Sequence, residues 1–110
     1  MTDEYYMKLA LEQAQKAGQM DEVPVGAVVV SGSGDIIGYG HNRPISACDP
    51  TSHAEMEAIR MAALAVGNYR LPDTVLYATL EPCIMCMAAV VHARIKRVVF
   101  GASDPKWGGA

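Results

Sequence analysis

The run Val-Pro-Val-Gly-Ala-Val-Val-Val, residues 23–30, constrains this chain more than any other segment. It is apolar without polar alternation, the pattern of a strand covered on both faces. A strand of that kind needs elements packed above and below it. The remaining sequence supplies them in order. Tyr6, Leu9, Ala10, Ala14 and Ala17 recur at helical spacing, with Gly18 placed to end the helix. Ser31–Asp35 reads as a turn, and Ile36–Asn42 returns as a second strand. Arg43–Ser52, with two prolines, reads as a loop. A second helix opens at His53, with Ala54, Ala58, Met61, Ala62 and Ala65 on one face and Gly67-Asn68 as its stop. Thr74–Leu80 is a third strand. Pro82 suits the first turn of a third helix, which is apolar all round over Ile84–Val91 and so expected to be buried on every side. Arg97–Gly101 is a fourth strand. The order α-β-β-α-β-α-β predicts an α/β fold, a sheet with helices on both faces, formed by one domain over residues 1–110.

Gly38 and Gly40 alternate along the second strand and leave one of its faces bare, as happens where something packs close. The glycines form no G-x-G-x-x-G, so a phosphate loop is not supported. Apolar residues make up 51% and charged residues 19% of the chain, the balance of a globular protein rather than a disordered one. No apolar run approaches the ~20 residues needed to cross a membrane. The acidic, helix-forming start is unlike a signal peptide, so the expected location is cytoplasmic. The formal charge of −3 does not suggest a nucleic-acid binder, although Arg94, Lys96, Arg97 and Lys106 face only Asp104 in the last stretch. A contact surface and an ordinary solvated stretch both fit that imbalance.

Two short segments carry chemistry. His53 and Glu55 stand at a helix beginning, and Cys83 and Cys86 at another. Ser52 and Glu55 have the spacing of a capping box, in which both side chains would satisfy first-turn N–H groups. Cys-x-x-Cys is also the spacing of a redox pair. The third reading takes His53, Cys83 and Cys86 together as one nitrogen and two sulfur ligands of a zinc ion. Three residues advance about 300° around a helix, which puts both sulfurs on roughly one side. The partial positive charge of a helix N-terminus should also lower the thiol pKa values. Three protein ligands leave the open position of a catalytic zinc, whereas a structural site closes with four. Cys48, in the loop before His53, could reach such a site and close it. His92 lies about two turns beyond the cysteines and could not. His41 reads as an ordinary strand residue. Three cysteines, an odd number, argue against a disulfide framework.

The pairing of His-Ala-Glu at 53–55 with Pro-Cys-Ile-Met-Cys at 82–86 resembles the signature of the zinc-dependent nucleobase deaminases, the cytidine/deoxycytidylate deaminase superfamily. The tRNA-specific adenosine deaminase branch is the most similar, through VPVGAVVV (23–30), HNRPI (41–45), DPTSHAE (49–55), NYRL (68–71), LYATLEPCIMC (76–86) and HARIKRVVFGASDPK (92–106). The resemblance implies a three-layer α/β/α sandwich around a mixed central sheet. It implies zinc held by His53, Cys83 and Cys86, with Glu55 as proton shuttle. Asn42 and the backbone N–H of Ala54 would meet the base, and Asp104 the sugar region of the target nucleotide. Arg94 and Lys106 would contact the RNA backbone. The implied reaction is hydrolysis of adenosine to inosine at the wobble position of a tRNA anticodon loop, by a homodimer. Members of this branch normally continue beyond the last residue here, so the domain is expected to be shortened at its C-terminus.

The residue types suit that reaction. Water is a poor nucleophile at neutral pH, and zinc lowers its pKa to ~7. Two thiolates and an imidazole nearly cancel the metal's charge, so an adjacent base is needed, and Glu55 is placed to be one. Anticodon loops already expose their bases, which lowers the cost of unstacking. Two other readings use the same motifs: a deaminase of a free base or nucleoside, and a zinc-binding fold without activity.

Overall fold

The computed structural model describes residues 1–110. The elements are α1 (Asp3–Gln19), β1 (Gly26–Val30), β2 (Ile36–His41), α2 (Pro44–Ala47), α3 (Ala54–Val66), β3 (Val75–Leu80), α4 (Ile84–Ala93) and β4 (Arg97–Ala102). The strands form one sheet in the order β2-β1-β3-β4. β1 pairs antiparallel with β2 and β3, while β3 and β4 are parallel. The sheet is therefore mixed, as expected.

β1 lies inside the sheet and all five of its residues are buried. Its side chains divide by the two-residue strand period. Val28 and Val30 join Tyr6 and Ala10 of α1, with Tyr77 of β3, on one face. Ala27 and Val29 join Ala54, Ala58 and Ala62 of α3 and Val90 and Ala93 of α4 on the other. The three layers are α1, the sheet, and the α3/α4 pair. Gly38 and Gly40 explain why α3 sits so close to β2. A Cβ at Gly40 would lie 2.5 Å from Glu57 Cβ and 2.8 Å from the Ala54 carbonyl oxygen. One at Gly38 would run into the Ala58 carbonyl.

Several local expectations are corrected. α1 runs past Gly18 and ends after Gln19, where the Met20 N–H donates to the Ala17 carbonyl and the Asp21 N–H to that of Gly18. The expected loop 43–52 contains the short helix α2, whose first N–H groups, at Ile45 and Ser46, donate to the Glu22 carboxylate. In α3, Met61 and Ala65 are exposed, and the buried face is Ala54, Glu55, Ala58, Ile59 and Ala62. α4 starts after Cys83, so Pro82 precedes the helix instead of lying in its first turn. Nor is α4 buried all round. Cys86, Val90 and Ala93 face inward, while Ile84 is 80% and Val91 60% exposed. Composition alone does not give direction, and a single sheet face covers only one side of this helix.

Candidate functional site

Loops meet at the end of the sheet where β2, β3 and β4 finish, the usual place for ligands in α/β proteins. Asn42 follows β2, Glu81 follows β3, and Asp104 lies just beyond β4. α3 and α4 both begin here. A cavity of about 390 Å³ opens among them, lined by Asn42, His53, Glu55, Cys83, Asp104 and Trp107 together with apolar side chains. That is within the ~300–1,000 Å³ range of small-molecule sites.

His53 is the N-cap of α3, with extended backbone (φ −73°, ψ 155°) and no side-chain cap bond. The capping-box reading of Ser52 and Glu55 therefore fails: Ser52 lies one residue too early, and the His53 imidazole is turned elsewhere. It points at the start of α4. His53 Nδ1 is 3.5 Å from Cys83 Sγ and 3.6 Å from Cys86 Sγ. Cys83 is the N-cap of α4 and Cys86 lies buried in its first turn. The three ligand atoms lie within 4.8 Å of one another. One imidazole nitrogen and two sulfurs at this separation are a donor set that suits zinc. Cys48 is exposed and its thiol approaches the Ile45 carbonyl, so it does not close the group. His41 ends β2, paired with Gly26, and His92 is exposed in the last turn of α4.

Burial dominates the titration of two groups here, Cys86 and Glu55. It pushes the Cys86 thiol strongly up, and the neighbouring Glu55 carboxylate and Cys83 add to it. The helix N-terminus was expected to lower both thiols; at Cys86 desolvation outweighs it. A dication would reverse that balance, because a coordinating thiol is deprotonated. Glu55, only 4% exposed, has its carboxyl raised above the usual range by burial, offset in part by a backbone N–H and by Cys86.

Asn42 and Asp104 both line the cavity. Ala54 does not, and its N–H is already donated to Asn42 Oδ1 at 2.8 Å. Arg94 is the exposed left-handed cap of α4, outside the cavity wall. Lys106 is exposed, its ammonium 5.4 Å from the centre of the Trp107 ring. The basic stretch is no single surface, since Arg97 is paired with Asp3 at 2.6 Å. Sequence reasoning gave no role to Glu81 or Trp107. The Glu directly before Pro-Cys, and the chain's one tryptophan three residues after Asp104, were the available signals.

A mixed sheet carrying a His/Cys/Cys group at two helix starts, with a buried glutamate beside it, defines the zinc-deaminase class of site. The chain belongs to the family of the cytidine and deoxycytidylate deaminase zinc-binding region, whose model matches residues 1–102. Among curated relatives, the tRNA-specific adenosine deaminase of Haemophilus influenzae is 55% identical over 106 residues, covering 96% of this chain and 61% of that protein. That of Agrobacterium fabrum is 52% identical, covering 94% and 68%. The chain thus spans about three fifths to two thirds of their length. A solved structure from work on tRNA:A34 deaminases superimposes with a TM-score of 0.91 at 52% identity, covering 94% of this chain and 75% of that one. A guanine deaminase from Bacillus subtilis superimposes with a TM-score of 0.89 at 40% identity, covering 94% and 66%.

Proposed function

We propose that this chain catalyses hydrolytic deamination of adenosine to inosine in RNA, at the wobble position of a tRNA anticodon. The observation that carries the reading is the His53, Cys83 and Cys86 group beside a cavity that His53, Cys83, the buried Glu55 and Asn42 line. The identities of 55% and 52% to tRNA-specific adenosine deaminases favour the RNA substrate over a free base. Deamination of a free purine is the second reading, favoured by the TM-score of 0.89 to the guanine deaminase.

His53, Cys83 and Cys86 would hold the zinc, which when bound supplies a Lewis acid that makes water a usable nucleophile at neutral pH. The chain's own residues handle the protons and the base. Glu55 takes a proton from the attacking water and delivers it to the ring nitrogen beside the reacting carbon. It then takes the second proton from the hydroxyl now on that carbon and delivers it to the amine, so that the C–N bond breaks as C=O forms and ammonia leaves. Transfers of this kind contribute ~10²–10⁴-fold. Its burial keeps bulk water from competing for those protons. The Asn42 amide oxygen is held by Ala54, which turns the NH₂ group toward the cavity as a donor to the purine. Asp104 closes the side where the ribose would lie.

Arg94 and Lys106 are both exposed and serve as phosphate contacts. The exposed apolar face of α4, Ile84 and Val91, supports assembly as a homodimer. The substrate places the enzyme in the cytoplasm; no helix is long and apolar enough to cross a membrane. The test is inosine formation on an anticodon stem-loop by the wild-type protein and by Glu55→Ala, with zinc content measured for both. Activity lost with zinc retained supports the reading. A zinc-loaded wild type that forms no inosine rejects it, and ammonia release from free guanine alone selects the second reading.

A further inference from the structure

One carboxylate holds the segment that follows β4. Glu81 Oε1 accepts the N–H of Asp104 at 3.1 Å, and Oε2 the N–H of Ala110 at 3.1 Å. The Pro82 carbonyl accepts the Gly109 N–H at 2.9 Å, and Cys83 pairs with Gly108 in a single antiparallel bridge. Inside the segment, Asp104 Oδ1 accepts the N–H groups of Lys106 and Trp107, each at 3.1 Å. The Asp104 carbonyl accepts that of Gly108 at 2.9 Å. The two glycines are required by this closeness. A Cβ at Gly108 would collide with the Glu81 carboxylate, and one at Gly109 would lie 2.7 Å from the Ile84 backbone.

The product of this latch is the position of Trp107. The indole lines the cavity with His53, Glu55 and Asn42, yet it is 67% exposed, so it stands at the mouth. Lys106 covers one face of the ring at 5.4 Å. An aromatic face held at the mouth of a base-sized cavity is what unpaired bases of single-stranded RNA stack on. We propose that Trp107 is a substrate-contacting residue, the stacking wall for the nucleobase adjoining the target base, and that Glu81 is the positioning residue that holds it there. This rests on the RNA reading above.

Trp107 is the only tryptophan, so its fluorescence reports on the proposal directly. The zinc-loaded protein is titrated with an anticodon stem-loop RNA and, separately, with free adenosine. Saturable quenching by the RNA, and little by adenosine, is expected. Trp107→Ala should raise KM for the RNA about 5- to 150-fold, the range that one lost base stack implies, with kcat changed less. Trp107→Phe should recover most of it. Glu81→Gln should make Trp107 more accessible to acrylamide and raise KM, at unchanged zinc content. An active wild type whose fluorescence ignores the RNA, or a Trp107→Ala variant with unchanged KM, overturns the stacking role. Unchanged acrylamide quenching in Glu81→Gln overturns the positioning role. A wild type that forms no inosine rejects the RNA reading separately, and the titration still decides whether a base stacks on Trp107.

Discussion

Asn42 Oδ1 accepts the backbone N–H of Ala54 at 2.8 Å, so the residue that follows β2 also caps the first turn of α3. The bond joins two elements whose close approach is already set by Gly38 and Gly40. It also fixes the orientation of the amide, because the oxygen is committed and only the NH₂ group is left to act. Asn42 therefore has a structural half and a functional half, and the two can be separated.

Asn42→Asp keeps an oxygen for Ala54 and places a negative charge at a helix start, where it is favourable. Its melting temperature should match the wild type, while deaminase activity falls because the donor to the base is gone. Asn42→Ala loses both halves and should in addition be destabilised by about 1 kcal/mol. Thermal melts beside inosine assays separate them. Equal activity in wild type and Asn42→Asp would remove Asn42 from base recognition.

The His53, Cys83 and Cys86 group ties the beginnings of α3 and α4 together, so metal removal should act on stability as well as on activity. A ligand present at a hundred times its dissociation constant stabilises by ~2.7 kcal/mol. Dialysis against a chelator should lower the melting temperature, and zinc should restore it. Cys86→Ser should bind zinc more weakly and show a smaller rise on zinc addition. A melting temperature indifferent to chelator and zinc would mean that the three side chains hold no metal.

The packing of α3 on β2 gives a prediction independent of chemistry. Gly38→Val forces a branched side chain against the Ala58 carbonyl and the Ala62 N–H, the latter already 2.9 Å from an added Cβ. Overpacking of this kind costs ~1–3 kcal/mol. Denaturant unfolding should show a lower midpoint. Because α3 carries His53 and Glu55, zinc affinity should drop with it. Tolerance of valine at full stability would show that the helix can retreat from the sheet.

These examples show what was legible in the sequence. The buried β1 and the bare face of β2 follow from residue types at fixed short spacing, and the structure retains both. The His/Cys/Cys group was legible as two motifs 30 residues apart joined by the family resemblance, and the structure brings them together. What was missed depends on direction. α4 is apolar at every position from Ile84 to Val91, yet only one side has a surface to lie on. The Cys86 thiol is dominated by burial, which local helix position does not report. Glu81 matters because residues 104 and 110 come back to it, a contact between distant parts of the chain that no local pattern encodes.

The last prediction concerns pH. Asp3, in the first turn of α1, receives a bidentate pair from Arg97 at the start of β4 and a hydrogen bond of 2.6 Å from the Tyr77 hydroxyl. Arg97 first, and Tyr77 second, lower its carboxyl from the ordinary 3.8 to about 2. A carboxyl depressed in the folded state contributes stability that is present above 3.8 and is lost as the pH falls through about 2. Tyr77 behaves in the opposite sense. Burial, then the Asp3 hydrogen bond, push its phenol up to about 12, so its contribution is complete below 10 and fades as the pH rises through 12. Asp3→Asn keeps an oxygen for Tyr77 and removes only the charge. Its melting temperature should lie below the wild type across neutral pH, and the gap should close as the pH drops from 3.8 toward 2. High salt should narrow the same gap, since both ion-pair partners are about half exposed. A gap that persists unchanged into strong acid would show that the charge of Asp3 contributes nothing, and that α1 is held on the sheet by Tyr6, Ala10 and Val28 alone.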